Sequence, residues 1–459
     1  MNGPIPCPPP LPLVPTPARL RRRLATGLLF LLALPLLHAQ ANISIRSSKK
    51  LRLALPEFAL TSGDPAAASL ERAFHDVLHN DLDQSGLVAM VSPSTYPLES
   101  PAKPAALDQA KVAGWANPPT SAERLVFGNL RVNGNVLQVE GYLYDVTQPS
   151  AAFLLGKRYA DQPTEAAARV MAHQFADAII EKLGGGPGIA SSRIVFISNR
   201  SGSKEVWGMD YDGANQQQIT TLASIAYSPR LSPDGTKLAF ISYVSGTPQI
   251  KIYDLLTRHY LPFPEFAGTN ITPAWSPDGR KLAFASSMSG DMELYVIDAT
   301  GGTPRRLTFS KGNDLAPVWN PKTGAQIAFV SDRTGSPQIY VMDADGTNQQ
   351  RLTTGGYAVS PSWSPNGQLL AFSWRRMGGG ENSGEFDIYF MELASRNIEQ
   401  LTHNGLRNDY PSWAPDGRHV VFQSGSPSRP QLFTVTADGS NPTRLTNTAA
   451  NEMPNWSFH

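Results

Sequence analysis

A motif that recurs about every 44 residues dominates the C-terminal two-thirds of this 459-residue chain. Each copy reads Trp or Leu, Ser or Ala, Pro, Asp or Asn, Gly, and then continues into a strand-like run that contains Phe. The copies begin at Leu231, Trp275, Trp363 and Trp413, and a looser copy begins at Trp319. Repeats of this length with several short strands are typical of β-propeller blades.

The number of strand-like runs predicts the number of blades. The Phe residues of these runs stand at positions 196, 240, 284, 329, 372 and 422, which indicates six blades. Two further strands follow each run and one precedes it, so each blade has four strands. No motif strand precedes the first run, Arg193–Ser198, whereas Pro454–Phe458 repeats that strand at the C-terminus. We therefore expect the C-terminal strand to complete the first blade and close the ring, which leaves no open edge.

The first 41 residues have the pattern of a Sec-type signal peptide. Arg19 and Arg21–Arg23 precede the apolar run Leu24–Leu37, and Ala39-Gln40-Ala41 offers small residues for cleavage. A retained anchor is the alternative, but the run is shorter than the roughly 20 apolar residues of a membrane helix. Cleavage removes the single cysteine, Cys7, together with four arginines and no acidic residue, so the formal net charge moves from +1 to −3. The sequence therefore predicts an exported, disulfide-free protein whose charge does not indicate a basic surface for binding nucleic acid.

The segment between the predicted signal peptide and the repeats contains no propeller motif and has a different pattern of strands and helices. It predicts an α+β domain over residues 42–183, a Gly-rich linker over 184–191, and the six-bladed propeller over 192–459. The predicted helices are Pro65–Asp83 and Pro163–Leu183, and the predicted strands are Leu51–Phe58, Leu87–Val91, Arg124–Val132, Asn135–Val146 and Ala152–Tyr159. Asn133-Gly134 predicts a hairpin between the third and fourth of these strands.

Two patterns resemble metal sites without completing them. His75 and His79 are spaced like the ligands of a zinc metalloprotease helix, but Asp76 replaces the Glu base and no third ligand is suggested. Asp210–Gly213 and Asp343–Gly346 resemble the start of a calcium loop but lack its bidentate Glu. We expect no metal site at either place and no cofactor.

The chain resembles the TolB family, the periplasmic components of the Tol-Pal systems of Gram-negative bacteria. The resemblance rests on Asp81–Leu87, Gly141–Val146, Ala172–Ile179 and Ser192–Phe196 together with the propeller repeats. It implies a monomeric scaffold that binds the peptidoglycan-associated lipoprotein Pal through the propeller and supports outer-membrane integrity, protein import and invagination during cell division. It also implies that the mature N-terminus engages the periplasmic domain of TolA.

The sequence suggests where each partner binds. Asn42-Ile43-Ser44-Ile45-Arg46 alternates as a strand does and could add to a sheet edge of TolA, or pair within its own domain. The varied connections between blades are the better candidates for the Pal site than the stereotyped turns. The resemblance places Thr269, Thr272 and Leu315 at family contact positions, with Thr269 standing where the family commonly has histidine. The full set of candidate Pal residues is Thr269, Asn270, Thr272, Asn313, Asp314, Leu315, Tyr357, Asn408, Asp409 and Tyr410. A cation near Asp314 and Asp409 stays an open alternative.

Two classes of enzyme use similar propellers. A propeller-bearing serine peptidase needs a nucleophile elbow, and the chain contains no Gly-x-Ser-x-Gly. A lyase or lactonase needs a cluster of His, Asp or Glu in the channel, whereas His259, His403, His419 and His459 fall at scattered blade positions. The sequence therefore favours a binding scaffold without catalysis, with an exported propeller of another pathway as the alternative.

Overall fold

A computed structural model describes residues 49–103, 107, 109–148, 151–376 and 385–457 of the chain. The predicted signal peptide and the candidate TolA segment, residues 42–46, lie outside the described residues.

The N-terminal domain is a mixed sheet with helices on both faces. Its strands are β1 (Leu51–Ala54), β2 (Ala59–Leu60), β3 (Val88–Met90), β4 (Arg124–Asn133), β5 (Val136–Asp145) and β6 (Ala152–Asp161). They run in the order β3-β1-β4-β5-β6, with β2 beside β4, and β4 and β5 form the hairpin predicted at Asn133-Gly134. The helices are α1 (Ala67–Gln84), α2 (Gln109–Ala116) and α3 (Glu165–Lys182).

Successive side chains of a strand point to opposite faces of the sheet, so the N-terminal sheet packs against one hydrophobic core on each face. In β4, Val126 packs with α1 and α3, whereas Leu125 and Phe127 point to the other face and pack with α2. The sequence did not predict α2, because its eight residues include Gly114 and show weak periodicity. The ring of Phe175 in α3 lies against Gly141 of β5, where an added Cβ would fall 2.4 Å from the ring, so only glycine fits there.

The propeller has six blades of four strands each, numbered I to VI. Blade I contains β30 (Asn451–Trp456), β7 (Arg193–Ser198), β8 (Glu205–Asp210) and β9 (Gln217–Gln218). Blade II contains β10 (Ala226–Leu231), β11 (Lys237–Ser242), β12 (Gln249–Asp254) and β13 (His259–Leu261), and blade III contains β14 (Asn270–Trp275), β15 (Lys281–Ser289), β16 (Asp291–Asp298) and β17 (Arg305–Arg306). Blade IV contains β18 (Asp314–Trp319), β19 (Gln326–Ser331), β20 (Gln338–Asp343) and β21 (Gln350–Arg351). Blade V contains β22 (Tyr357–Trp363), β23 (Leu369–Arg375), β24 (Asp387–Glu392) and β25 (Ile398–Gln400), and blade VI contains β26 (Asn408–Trp413), β27 (His419–Ser424), β28 (Gln431–Thr436) and β29 (Thr443–Arg444).

The ring is closed as predicted, because the C-terminal strand β30 pairs with β7 inside blade I. The Pro-Asp-Gly turns between first and second strands have the expected turn chemistry. Ser276 donates to Asp278, Asp278 accepts from the N–H of Arg280 at 3.0 Å, and Gly279 takes a positive φ of 67°. The hydrogen bonds from Ser276 and from the Arg280 N–H lower the pKa of Asp278. These turns are accounted for by the scaffold alone.

In most blades a threonine stands two residues after the short fourth strand, and a repeated hydrogen-bond contact explains its presence. In five blades its hydroxyl accepts from a backbone N–H near the start of the third strand, at residues 220, 308, 353, 402 and 446. Thr353, for example, accepts from the Ile339 N–H at 2.9 Å and donates to the buried Gln338 at 2.8 Å. A single hydroxyl thus satisfies two buried groups.

We expect Thr353→Val to destabilise the protein by about 1–3 kcal/mol, since it leaves the Ile339 N–H and the Gln338 carbonyl oxygen without their partner. The next residue, Thr354, is exposed, so Thr354→Val is the matched control and should change the free energy of unfolding by under about 0.5 kcal/mol. Urea denaturation of the two variants measures the difference. Equal midpoints would show that the threonine contact contributes nothing.

Candidate functional site

The two faces of the ring carry different loops. The turns between first and second strands and between third and fourth strands, such as 233–235 and 255–258, form what we name the turn face. The connections between blades and the loops between second and third strands, such as 262–269 and 243–248, form the connection face.

The N-terminal domain packs on the turn face. His419, beside the first turn of blade VI, is bonded through Nε2 to the Gln84 carbonyl oxygen at 2.8 Å, and the Thr443 hydroxyl donates to the Gln84 side chain at 3.1 Å. Arg169 of α3 pairs with Asp212 in a turn of blade I at 2.8 Å. The connection face is not covered by any described part of the N-terminal domain.

The contact between the domains is a packed core rather than a loose hinge. One hydrophobic cluster runs from α1 and α3 through Ile189 into blades I and VI, where it includes Phe196, Val421 and Trp456. Gly188 in the linker lies against Asp177, whose carboxylate accepts from the N–H groups of residues 190 and 191. The two domains therefore form a single packed unit.

A buried polar group lies in this contact. The Asp81 carboxylate accepts from the Tyr211 hydroxyl at 2.6 Å and contacts His173 Nδ1 at 2.7 Å. Burial raises the pKa of Asp81 and outweighs the hydrogen bonds from His173 and Tyr211. Burial lowers the pKa of His173, but the hydrogen bond and attraction to Asp81 more than offset this, so its pKa is raised. This arrangement fixes the orientation of α1 and α3 on blade I.

The candidate Pal residues fall into two groups by exposure. Asn313 is exposed, and Thr269, Thr272, Leu315, Tyr357 and Tyr410 are half-buried. Asn270, Asp314, Asn408 and Asp409 are at most 3% exposed. All ten residues lie at or next to the connection face, in the connections or at the start of first strands.

The four buried residues hold the connections in place. Asn270 of blade III donates to Gln249 of blade II at 3.1 Å, and Asn408 of blade VI donates to Asp387 of blade V at 2.9 Å. The side chains of Asn270 and Asn408 therefore join neighbouring blades and support the connection face from beneath. The sequence analysis had assigned them to the binding face. The sequence does not distinguish a loop Asn or Asp whose side chain bonds to another part of the protein from one whose side chain faces solvent.

The two carboxylates near the channel mouth are each matched by an arginine. Asp314 pairs with Arg333 at 2.7 Å, and Asp409 pairs with Arg407 at 3.2 Å. No group of three or more His, Cys, Asp or Glu residues that could hold a metal occurs in the described ranges. His75 bonds the Leu55 carbonyl oxygen at 3.1 Å, and His419 is engaged in the domain contact.

A ring of strained residues surrounds the channel at this face. Each first strand contains a bulge at a non-glycine residue with φ between 50° and 54°, followed by proline: Ser228, Thr272, Ala316, Ser360, Tyr410 and Met453. A left-handed conformation costs such residues about 1–2 kcal/mol each. The bulges bend the first strands at the channel mouth, where such devices often re-aim side chains. The sequence signal is a proline two positions before the Trp, or before Leu231 in blade II, and the bulge residue directly precedes that proline.

Exposed apolar side chains are spread around the same face. Ile225 is 42% exposed, Val244 59%, Phe309 73% and Leu406 46%, and they belong to loops of different blades. Apolar groups exposed singly are ordinary on protein surfaces, so these four residues are candidate contacts rather than evidence of a binding patch. The connection face therefore combines an uncovered surface, apolar side chains and a rigid support. Sequence reasoning did not single out these four residues.

The channel along the ring axis has a volume of about 830 Å³ and opens between the bulged strands. Its wall carries three charged residues, Arg230, Arg407 and Asp409, among tryptophan and proline rings. In the described part of the chain, no helix is long and apolar enough to span a membrane.

Comparison with known proteins identifies the family. Residues 40–151 match the TolB amino-terminal domain, and residues 180–459 match the TolB beta propeller domain. The Tol-Pal system protein TolB of Syntrophotalea carbinolica is 36% identical over 47% of this chain, and the TolB homologue of Chlorobium chlorochromatii is 36% identical over 43%. These matches span about half the length of the curated relatives, 49% and 43% respectively.

A solved structure extends the likeness to both domains. The crystal structure of TolB from Acinetobacter baumannii covers 90% of this chain and 97% of its own, with a TM-score of 0.74 and 25% sequence identity. The fold, the order of the two domains and the family matches agree, and the chain belongs to the TolB family.

Proposed function

We propose that this protein is a non-enzymatic periplasmic scaffold of a Tol-Pal system. It connects the inner-membrane Tol complex, through TolA, to the outer-membrane lipoprotein Pal, and so supports outer-membrane integrity, protein import and invagination during division. Membership of the TolB family and the names of the curated relatives support the Tol-Pal assignment.

The connection face is the Pal site in this proposal. The observation that carries it is the position of the N-terminal domain, which packs on the turn face and leaves the connection face free. The contact set is the half-buried and exposed candidates, Thr269, Thr272, Asn313, Leu315, Tyr357 and Tyr410, together with the apolar residues Ile225, Val244, Phe309 and Leu406. Asn270, Asp314, Asn408 and Asp409 act beneath them as supports. A few apolar anchors near the centre supply most of the binding energy in such interfaces.

The TolA site in this proposal is the segment Asn42-Ile43-Ser44-Ile45-Arg46. The first described strand, β1, is an inner strand of its sheet, between β3 and β4, so the residues ahead of it are not needed to complete that sheet. An alternating segment ahead of β1 can add a strand to a partner sheet through backbone hydrogen bonds.

Titration calorimetry tests both contacts with one matched pair of proteins. The chain of residues 42–459 is titrated with the periplasmic domains of Pal and of TolA from the same organism, beside a chain that begins at Lys49. We expect saturable one-to-one binding of Pal by both chains, and binding of TolA by the longer chain alone. A folded chain that binds neither domain would move the protein to another exported pathway. TolA binding by the shorter chain would contradict the N-terminal assignment.

A further inference from the structure

One polar contact recurs at the junctions between blades. At three junctions, the asparagine that begins a first strand donates through its side-chain amide to a buried residue near the start of the third strand in the preceding blade. These pairs are Asn270 with Gln249 at 3.1 Å, Asn408 with Asp387 at 2.9 Å, and Asn451 with Gln431 at 3.2 Å. A side-chain amide therefore joins the two blades at each of these places.

The junction between blades III and IV has two carboxylates at this position. The strand register puts Glu293 of β16 and Asp314 of β18 in the places that Gln249 and Asn270 occupy one junction earlier. Both acidic side chains are 0% exposed. An ionised aspartate has no hydrogen to donate, so Asp314 cannot make the contact that Asn270 makes. The two remaining junctions have an alanine at the start of the first strand.

One oxygen of Asp314 lacks a partner as a result. Its Oδ2 accepts from Arg333 at 2.7 Å, whereas its Oδ1 is buried and has no hydrogen-bond partner among the described residues. The nearby carboxylate of Asp332 accepts from the N–H and the side-chain amide of Asn313, at 2.7 and 2.9 Å. A buried acceptor without a donor is costly, so a donor for Oδ1 would stabilise this junction.

The surroundings of Glu293 favour the protonated form of its carboxyl. Burial raises the pKa of Glu293, the hydrogen bonds from Thr308 and Arg306 lower it by less, and repulsion by Asp314 raises it further. A metal ion would also relieve this repulsion. However, Arg306 and Arg333 each lie 2.7 Å from one of the two carboxylates, and their positive charges disfavour a metal ion beside them.

We propose that Glu293 and Asp314 share one proton, which takes the place of the asparagine amide and joins blade IV to blade III. The proton comes from solvent, and the Glu293 carboxyl O–H then donates to Asp314 Oδ1. The pair holds both ends of the connection 307–313, because Thr308 donates to Glu293 and Asp314 directly follows the connection. Loss of the proton loosens this connection. The proposal goes beyond the proposed function, and its tests use the chain alone.

The direction of the pH dependence follows from the raised pKa of Glu293. In the unfolded chain a glutamate loses its proton at about pH 4, whereas in the folded chain Glu293 keeps its proton to higher pH. The contribution of the shared proton to stability is therefore fully present below the unfolded pKa. It is lost as the pH rises through the folded pKa.

Urea denaturation of Glu293→Gln at about pH 5 and about pH 8 tests this direction. The variant carries a permanent amide donor, as Gln249 does, so we expect its urea midpoint to gain on that of the wild type as the pH rises. Glu205 is the matched control, because it has the same register in blade I, is 1% exposed, and has Ala226 in place of the second carboxylate. Glu205→Gln should show a smaller pH-dependent difference, which measures the effect of burial alone.

Infrared difference spectra, wild type minus Glu293→Gln, test the proton itself. We expect the C=O band of a protonated carboxyl at about pH 5 and its loss towards about pH 8. Asp314→Asn should also remove the band while Glu293 is present, because the new amide donates to an ionised Glu293 as Asn408 donates to Asp387. Circular dichroism verifies that each variant is folded.

Three results would overturn the proposal. The first is the absence of a protonated-carboxyl band from the folded wild type at about pH 5. The second is a pH dependence of the urea midpoint that is the same in wild type and in folded Glu293→Gln. The third is a wild-type midpoint that rises with calcium and falls with a chelator but not in Glu293→Gln, which would assign the junction to a cation instead.

Discussion

Removal of residues 450–459 is expected to abolish cooperative unfolding of the whole described unit. The deletion takes away β30, the first strand of blade I, and exposes the edge of β7. It also removes Trp456, which is 1% exposed, belongs to the core shared with the N-terminal domain, and donates to Ser192 at 2.7 Å. Loss of a buried Trp alone costs about 3–5 kcal/mol, against a total stability of about 5–15 kcal/mol for a typical protein.

Thermal unfolding followed by circular dichroism, with size-exclusion chromatography, checks this expectation. A chain shortened by residues 458–459 keeps Ser457, which bonds both the N–H and the carbonyl of Arg193, and serves as the control with a normal melting curve. A synthetic peptide of residues 450–459 should restore part of the transition. A deleted chain that melts cooperatively within a few degrees of the full chain would show that ring closure contributes little.

The double substitution Thr269→Arg with Leu406→Arg is expected to weaken binding of the Pal domain by about 100-fold or more. Thr269 is half-buried and Leu406 is 46% exposed on two connections of the connection face. An arginine forced into an interface is desolvated without a partner, which costs several kcal/mol. Each tenfold loss of affinity corresponds to about 1.4 kcal/mol.

The turn face supplies a control of identical composition. Leu256 is 76% exposed and Thr257 is exposed, and both lie in a turn capped by the Asp254 carboxylate through backbone N–H groups. Thr257→Arg with Leu256→Arg therefore adds the same charge on the opposite side of the ring. Titration calorimetry should give wild-type affinity for this variant. Equal losses in the two variants would indicate a charge effect rather than a binding face.

The architecture was predictable because its signals are local and repeated. Six Phe runs, the Pro-Asp-Gly turns and the C-terminal Trp456 strand predicted the closed ring. The helical spacing of Phe74 and Leu78 predicted α1, since a core-facing stripe leaves a clear period. Helix α2 was missed because a short helix with an internal glycine leaves almost no period.

The candidate binding face was predictable only in outline. The sequence pointed to the connections, but it could not show that Asn270 and Asn408 turn inward to reach Gln249 and Asp387 on the neighbouring blades. Such contacts depend on which strands become neighbours in the ring.

Amide hydrogen exchange of residues 42–459, with and without a saturating amount of the Pal domain, distinguishes the connection face from the turn face as the binding site. We expect protection in the connections 219–225, 262–269, 307–313, 352–356 and 401–407, with unchanged exchange in the turns 255–258 and 344–349. Protection of the turns or of the N-terminal helices, with unchanged connections, would contradict this expectation.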